Sequence, residues 1–356
     1  MKKVFAFILF ASLLCVSCNN KPESDIKEET NSGVVLIQNQ SYYEVELSNG
    51  TTIYFTKFDE KDGVQGISFN RDSVEYSISY GTGFFISTDG LIATNAHVVS
   101  NVAKDKDINR SMGEVIKVLK TVIATAYYET KESYEKAEEA CRFASYSTDV
   151  SYSDYYKIQA YRDNLKEELE NYYNVYDELD NVRASDSEVR YNNMISIAYN
   201  DTYVTNTGDF ISCVLKKSDP EHDVAIIQIK DKKTPEGKYI FQVPENDPLD
   251  TYSFADKLTR KFSDDKNAHL YMQSFNLGPK LSLTKEGVKS QFNNGSISQR
   301  TSDRIMYSIP TLPGSSGSPV VNSKGELVAV NYAGLNNTQN FNYGVPVKYL
   351  KRLLEE

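Results

Sequence analysis

From residue 34 to residue 86 apolar and polar side chains alternate in short runs, among them Val34-Val35-Leu36-Ile37, Tyr43-Glu44-Val45-Glu46-Leu47 and Thr52-Ile53-Tyr54-Phe55. Successive strand side chains point to opposite faces, so a period of two predicts half-buried strands, and Asn49-Gly50 between two such runs predicts a hairpin turn. The same texture returns at 194–197, 210–215, 224–229, 270–275, 295–298, 305–309, 319–321 and 327–330. Many short strands separated by turns predict an antiparallel barrel or sandwich. Residues 347–356 read as a short amphipathic helix that closes the chain.

Residues 111–184 differ: they contain no proline and are rich in Glu, Lys, Ala and Tyr. Val115, Leu119, Val122 and Ala126 recur at steps of three and four. So do Ile158, either Tyr161 or Arg162, Leu165, Leu169, Tyr172, Tyr176 and Leu179. That spacing puts each set on one helix face and predicts two helices. The Ser- and Asp-dense stretch 145–154 predicts the turn between them and offers N-caps for the second. Arms of about thirty residues would reach ~45 Å, so the segment is expected to be a projecting antiparallel helical hairpin, its tyrosines forming the packed seam.

A length of 356 residues allows two domains or one domain with a large insertion, and a net charge of −10 makes a phosphate-rich partner unfavourable. No nucleic-acid partner is expected. The first residues add a compartment. Lys2 and Lys3 precede fourteen largely apolar residues, too short to span a bilayer and suited to a secretion signal. Leu14-Cys15-Val16-Ser17-Cys18 resembles a bacterial lipobox, with Cys15 where leucine is usual. Acylation is expected at Cys18, followed by a polar tether, so the membrane is reached through a lipid anchor only. The spacing of Cys141 and Cys213 suggests neither a metal site nor a disulfide framework, and they read as unpaired thiols.

Three segments carry chemistry. Gly81-Thr82-Gly83-Phe84-Phe85 and Asp89-Gly90-Leu91-Ile92-Ala93-Thr94 read as a hairpin leading into a turn that holds His97. Pro313-Gly314-Ser315-Ser316-Gly317-Ser318-Pro319 sets a serine among glycines on a tight loop. Amide hydrolysis needs a nucleophile exposed on a turn with N–H groups free to bind an oxyanion, and glycine permits both. Asp223 heads the apolar run 224–229, where a carboxylate could orient an imidazole.

The segments around His97, Asp223-Val224-Ala225-Ile226-Ile227-Gln228-Ile229 and Gly314-Ser315-Ser316-Gly317-Ser318-Pro319 each resemble, in this order, a motif of trypsin-like serine peptidases of the HtrA and glutamyl-endopeptidase type. Asn294-Gly295-Ser296-Ile297-Ser298 and Gly325-Glu326-Leu327-Val328-Ala329-Val330-Asn331 resemble strands of that family. The resemblance covers about 79–99 and 194–354. It implies a mainly β fold of two six-stranded antiparallel barrels with the long α-helical hairpin inserted. It also implies a catalytic triad of His97, Asp223 and Ser316, an oxyanion hole from the N–H groups of Gly314 and Ser316, and no metal or cofactor. The substrates would be proteins or peptides.

On that frame the chain divides into a signal peptide 1–17, a tether 18–33, a β extension and the first part of barrel one 34–110, the insertion 111–184, the rest of barrel one 185–240, and barrel two with the closing helix 241–356. No peptide-binding module is expected after the helix. Pro310 stands where trypsin-type enzymes keep an aspartate, and Asn331 where glutamyl endopeptidases keep a histidine. Cleavage after small or medium apolar residues is therefore expected, with the substrate backbone adding as a strand along Asn331, Tyr332 and Ala333. His222 is read as a surface residue and His269 as structural. The competing reading is a lipid-anchored scaffold whose helical hairpin docks a protein partner.

Overall fold

The structure is a computed structural model that describes residues 20–101, 103–249, 269–334 and 342–356. The expected signal peptide and Cys18 lie outside the described residues.

Helix α1 (Glu23–Asn31) is followed by β1 (Val34–Glu46), β2 (Thr52–Asp59), β3 (Gly63–Ser68), β4 (Ser77–Phe85) and β5 (Leu91–Thr94). One helical turn, α2 (Ala96–Val99), precedes the long helices α3 (Asp105–Tyr146) and α4 (Tyr152–Asp180). Then come β6 (Glu188–Tyr199), β7 (Ile211–Asp219), β8 (Val224–Ile229) and β9 (His269–Ser274). A short turn of helix, α5 (Pro279–Ser282), leads to the small ribbon β10 (Leu283–Thr284) and β11 (Gly287–Val288). The chain finishes with β12 (Gln291–Arg300), β13 (Ile305–Tyr307), β14 (Pro319–Asn322), β15 (Leu327–Gly334), β16 (Asn342–Pro346) and α6 (Val347–Glu355).

Strands β1-β4-β5-β8-β7-β6 are successive neighbours, and β6 pairs back to β1, which closes one six-stranded barrel. Strands β12-β13-β16-β15-β14-β9 close the second. The long helical pair enters the chain between β5 and β6, so the expected fold class holds.

Two compact units emerge. The first holds the described residues up to Ser41, those from Ser77 to 101, and those from Asn193 onward. Its barrels have separate cores: Val35, Ile37, Phe85, Ile92 and Ile227 in one, Leu270, Met272, Tyr307, Val320 and Val328 in the other. A third cluster, with Ile26, Phe84, Val224, Ile226, Phe241, Val330 and Leu350, joins α1 and α6 to strands of both barrels. All six residues of β8 are buried. Ala225, Ile227 and Ile229 face the barrel core while Val224 and Ile226 face the joining cluster, which is why this segment reads as a continuous apolar run.

The second unit comprises residues 42–76 and 103–192. Tyr43, Val45, Ile53 and Phe55 line one face of the β1–β2 hairpin, and Ile108, Met112 and Ile116 of α3 pack on them. Tyr43 stacks on Phe55 with ring centroids 4.7 Å apart. The row at 108, 112 and 116 follows the i, i+4 rule and starts α3 at Asp105, ahead of the expected residue 111. In the helix pair, Ala137, Cys141 and Ala144 of α3 and Leu165 and Leu179 of α4 are buried. Ser151 caps α4, its hydroxyl accepting from the Asp154 N–H at 3.1 Å.

Two expectations fail here. Val122 is 59% exposed, because the buried row of α3 passes through 112, 116 and the half-buried 119 and 123. The tyrosine seam is also largely absent: Tyr128, Tyr146, Tyr152, Tyr156, Tyr161 and Tyr173 face solvent, and small or aliphatic residues let the helices approach instead.

Candidate active site

The site is assembled within the first unit. Strands β5 and β8 are antiparallel, with Thr94 opposite Ala225, so the end of β5 lies beside the start of β8. Asn95 and the turn α2 follow β5, while Asp223 immediately precedes β8. Sheet pairing thus brings together residues that stand 126 positions apart. Asp223 adopts a left-handed φ of 52°, which Asp tolerates better than most residues. Its carboxylate accepts from the His97 backbone N–H at 2.8 Å and meets His97 Nδ1 at 2.7 Å. Asn95 Nδ2 donates to the Asp223 carbonyl at 2.8 Å. Asp223 is buried, whereas the His97 side chain keeps a third of its surface exposed. A carboxylate at Nδ1 holds the ring proton there and leaves Nε2 as the basic nitrogen.

Ser316 sits on the loop between β13 and β14. Gly314 (φ 98°) and Gly317 (φ 86°) hold angles that disfavour side chains. A Cβ on Gly317 would lie 2.1 Å from the Thr82 carbonyl oxygen. Strand β4 docks this loop: Thr82 N–H donates to the Ser316 carbonyl at 2.8 Å, and Thr82 Oγ1 donates to the Gly314 carbonyl at 2.8 Å.

Two peptide planes of the loop are pinned by their carbonyls. Pro313 O accepts from the Leu277 N–H at 2.6 Å. Ser315 O accepts from Ser318 Oγ at 2.7 Å and from Asn331 Nδ2 at 2.8 Å. The C=O and N–H of a trans peptide point in opposite directions, so the N–H groups of Gly314 and Ser316 face away from these anchors. Neither N–H is donated to another group among the described residues.

The Ser316 hydroxyl donates to the Tyr332 carbonyl at 2.9 Å, not to His97. Tyr332 is the extra residue of a bulge between Asn331 and Ala333 in the β15–β16 ladder, an irregularity that re-aims its carbonyl. Its ring lies 5.5 Å from the His97 ring at 80° and stacks on Tyr343 at 5.0 Å. Ser316 and His97 therefore share Tyr332 as a neighbour. Burial raises the Tyr343 phenol above its ordinary range, with the Tyr332 hydroxyl adding to the effect.

Of the residues expected to meet substrate, Pro310 is exposed and uncharged, and Ala333 pairs through its backbone with Tyr343. The placing of Asn331 along an added substrate strand does not hold. Its N–H donates to Ser318 O and its carbonyl accepts from the Gly317 N–H, both at 2.8 Å. Its fully buried side chain is engaged with Ser315 and Tyr307.

His222 lies away from this cluster. Its Nδ1 meets Asp219 Oδ2 at 2.8 Å, its ring stacks on Tyr349 at 4.0 Å, and Arg352 closes the group. His269, the first residue of β9, packs edge-on against Tyr271. Sequence reasoning missed Asn95, Thr82 and Leu277. Asn95 and Thr82 stand inside motifs already singled out and could have been found there. Leu277, with its left-handed φ of 56°, leaves no sequence signal at all.

Residues 179–330 match the trypsin-like peptidase domain, a stretch that contains Asp223 and Ser316 and leaves out His97 beyond the long helices. The barrel pair is accordingly a trypsin-like peptidase fold. No curated protein is detectably similar to the sequence. The crystal structure of the serine endoprotease from Yersinia pestis is similar at 11% identity with a TM-score of 0.42, over 94% of this chain. The chain spans 66% of that protein's length.

Proposed function

We propose that this protein is a serine endopeptidase that cleaves peptide bonds of proteins outside the cytoplasm. The observation that supports it most is the His97–Asp223 contact beside a serine loop that leaves the N–H groups of Gly314 and Ser316 undonated, each in a peptide plane pinned by its carbonyl. In the reaction Ser316 Oγ leaves the Tyr332 carbonyl and attacks the scissile carbonyl carbon while His97 Nε2 takes its proton. The oxyanion forms against the N–H groups of Gly314 and Ser316. Collapse breaks the C–N bond, and His97 returns the proton to the leaving amine. Water then repeats the sequence on the acyl-enzyme and releases the acid and free Ser316. Asp223 holds the imidazole and stabilises the imidazolium throughout. No step needs a metal or cofactor.

The substrate backbone would add along Tyr332 and Ala333, and the uncharged Pro310 favours small or medium apolar side chains next to the cleaved bond. We also read Cys18 as lipid-modified. The support is the lipobox-like sequence, and Cys18→Ser should release the protein from the membrane fraction.

A fluorophosphonate probe should label the wild type and not Ser316→Ala, whose casein or peptide turnover should fall by about four orders of magnitude or more. An unlabelled wild type would instead point to a scaffold. A peptide-library digest dominated by cleavage after Lys, Arg or Glu would refute the pocket reading and leave the triad standing.

A further inference from the structure

We infer that Asn331 and Tyr307 are positioning residues that hold the oxyanion hole open, a reading that rests on the proposed peptidase chemistry. The Ser316 N–H can face the oxyanion only while the Ser315–Ser316 peptide keeps one orientation. A flip would turn that N–H away and bring the Ser315 carbonyl oxygen into the place where negative charge develops. Three donors hold the carbonyl back. Two come from Ser318, through its N–H at 3.2 Å and its hydroxyl at 2.7 Å, and belong to the same turn. Asn331 Nδ2, at 2.8 Å, reaches it from the barrel strand β15.

Asn331 in turn has no freedom. Its backbone is tied to Gly317 and Ser318, and its side chain is fully buried. A carbonyl oxygen only accepts, so the NH2 end of the amide must face Ser315 O and the Oδ1 end must face Tyr307. The Tyr307 hydroxyl donates to that Oδ1 at 2.7 Å. Tyr307 is fully buried on β13, and desolvation holds its phenol far above the ordinary range. The order of support is therefore Tyr307 O–H, Asn331 amide, Ser315 carbonyl, Ser316 N–H. Leu277 serves the other donor alone by pinning the Pro313 carbonyl. The arrangement gives Asn331 a role behind the nucleophile loop in place of a pocket wall facing the substrate.

The test uses the full chain, a cleaved peptide, and a peptide aldehyde whose tetrahedral adduct with Ser316 places an oxygen in the hole. Tyr307→Phe and Asn331→Ala should each lower kcat by about 10- to 100-fold, leave KM within about twofold, and weaken aldehyde binding by the same factor as kcat. Because the two residues act in series, the double variant should lose little more than the worse single variant. If Asn331→Ala does not fold, Tyr307→Phe, which lacks a single oxygen, decides the matter. A folded Tyr307→Phe with wild-type kcat and aldehyde affinity overturns the inference, as does a rise in KM alone. A wild type that neither turns over nor labels with fluorophosphonate would overturn the peptidase reading together with this one.

Discussion

The barrel unit and the helical unit bury their residues by different rules. In β8 all six side chains are inside, because one face fills a closed barrel and the other meets the joining cluster. In the 29 residues of α4 only Leu165 and Leu179 are buried. A helix packed on a single neighbour can bury one stripe, and the rest of its circumference remains in water. The large aromatics follow from this. Phe84 and Phe85 are wholly enclosed in the barrel unit, whereas Tyr146 is 87% exposed on α3. A closed barrel with pinned loops constrains many positions at once. A two-helix seam constrains far fewer positions.

The strongest way to break this contrast is to make one substitution in both units. Gly317→Ala would add a Cβ 2.1 Å from Thr82 O at a φ of 86°. It should cost about 1–3 kcal/mol for the backbone angle and a similar amount for overpacking, and abolish fluorophosphonate labelling. Gly113→Ala lies within α3, where the nearest atom to the new Cβ is 3.7 Å away. It should stabilise the helical unit by about 0.5–1 kcal/mol. Thermal melts that moved in the same direction for both would dissolve the distinction.

Truncation gives a smaller difference. Phe84, fully buried and edge-on to Phe241 at 5.1 Å, should cost about 3–5 kcal/mol as Phe84→Ala. Leu165→Ala, on a half-open seam that can relax, should cost about 2 kcal/mol and leave labelling of Ser316 unchanged. Urea titrations that ranked the two the other way would show that the helix seam is the better-packed core.

The smallest effect is the most discriminating, because Cys213 in β7 and Cys141 in α3 are both 6% exposed. Burial pushes the Cys213 thiol up to about 12 from an ordinary 9.0, against a smaller opposing pull from Lys230. The fold thus favours the neutral thiol. Its contribution is complete below the unfolded value and is lost as pH rises from about 9 toward about 12. In alkylation followed by peptide mass spectrometry, Cys213 should react at the rate of global unfolding, while Cys141 reacts faster through local opening of the helix pair. Equal protection of both would mean that the two units open together.

Much of this organisation is written in local pattern. Period-two runs and the Asn49-Gly50 turn mark the strands, and a proline-free stretch with steps of three and four marks the long helices. The strands and helices appear in the structure because periodicity is a property of neighbouring residues, and side-chain direction repeats with it. The segments around His97, Asp223 and Ser316 stand out for a related reason, since each joins a reactive side chain to an apolar strand within a few residues.

What tertiary structure alone decided concerns partners. Only the pairing of β5 with β8 carries His97 to Asp223, and only the bulge at Tyr332 turns a carbonyl toward Ser316. The base of α3 belongs with the β1–β2 hairpin because Ile108 and Met112 find an apolar face there, a match that no spacing along the chain encodes. Asn331 is the clearest case. The same side chain would serve a pocket wall or a buried brace. The choice was made by Tyr307, 24 positions away, which donates to its oxygen and so commits the other end of the amide to Ser315. A buried polar group takes its function from the partners that satisfy it, and those partners are set by packing across the barrel.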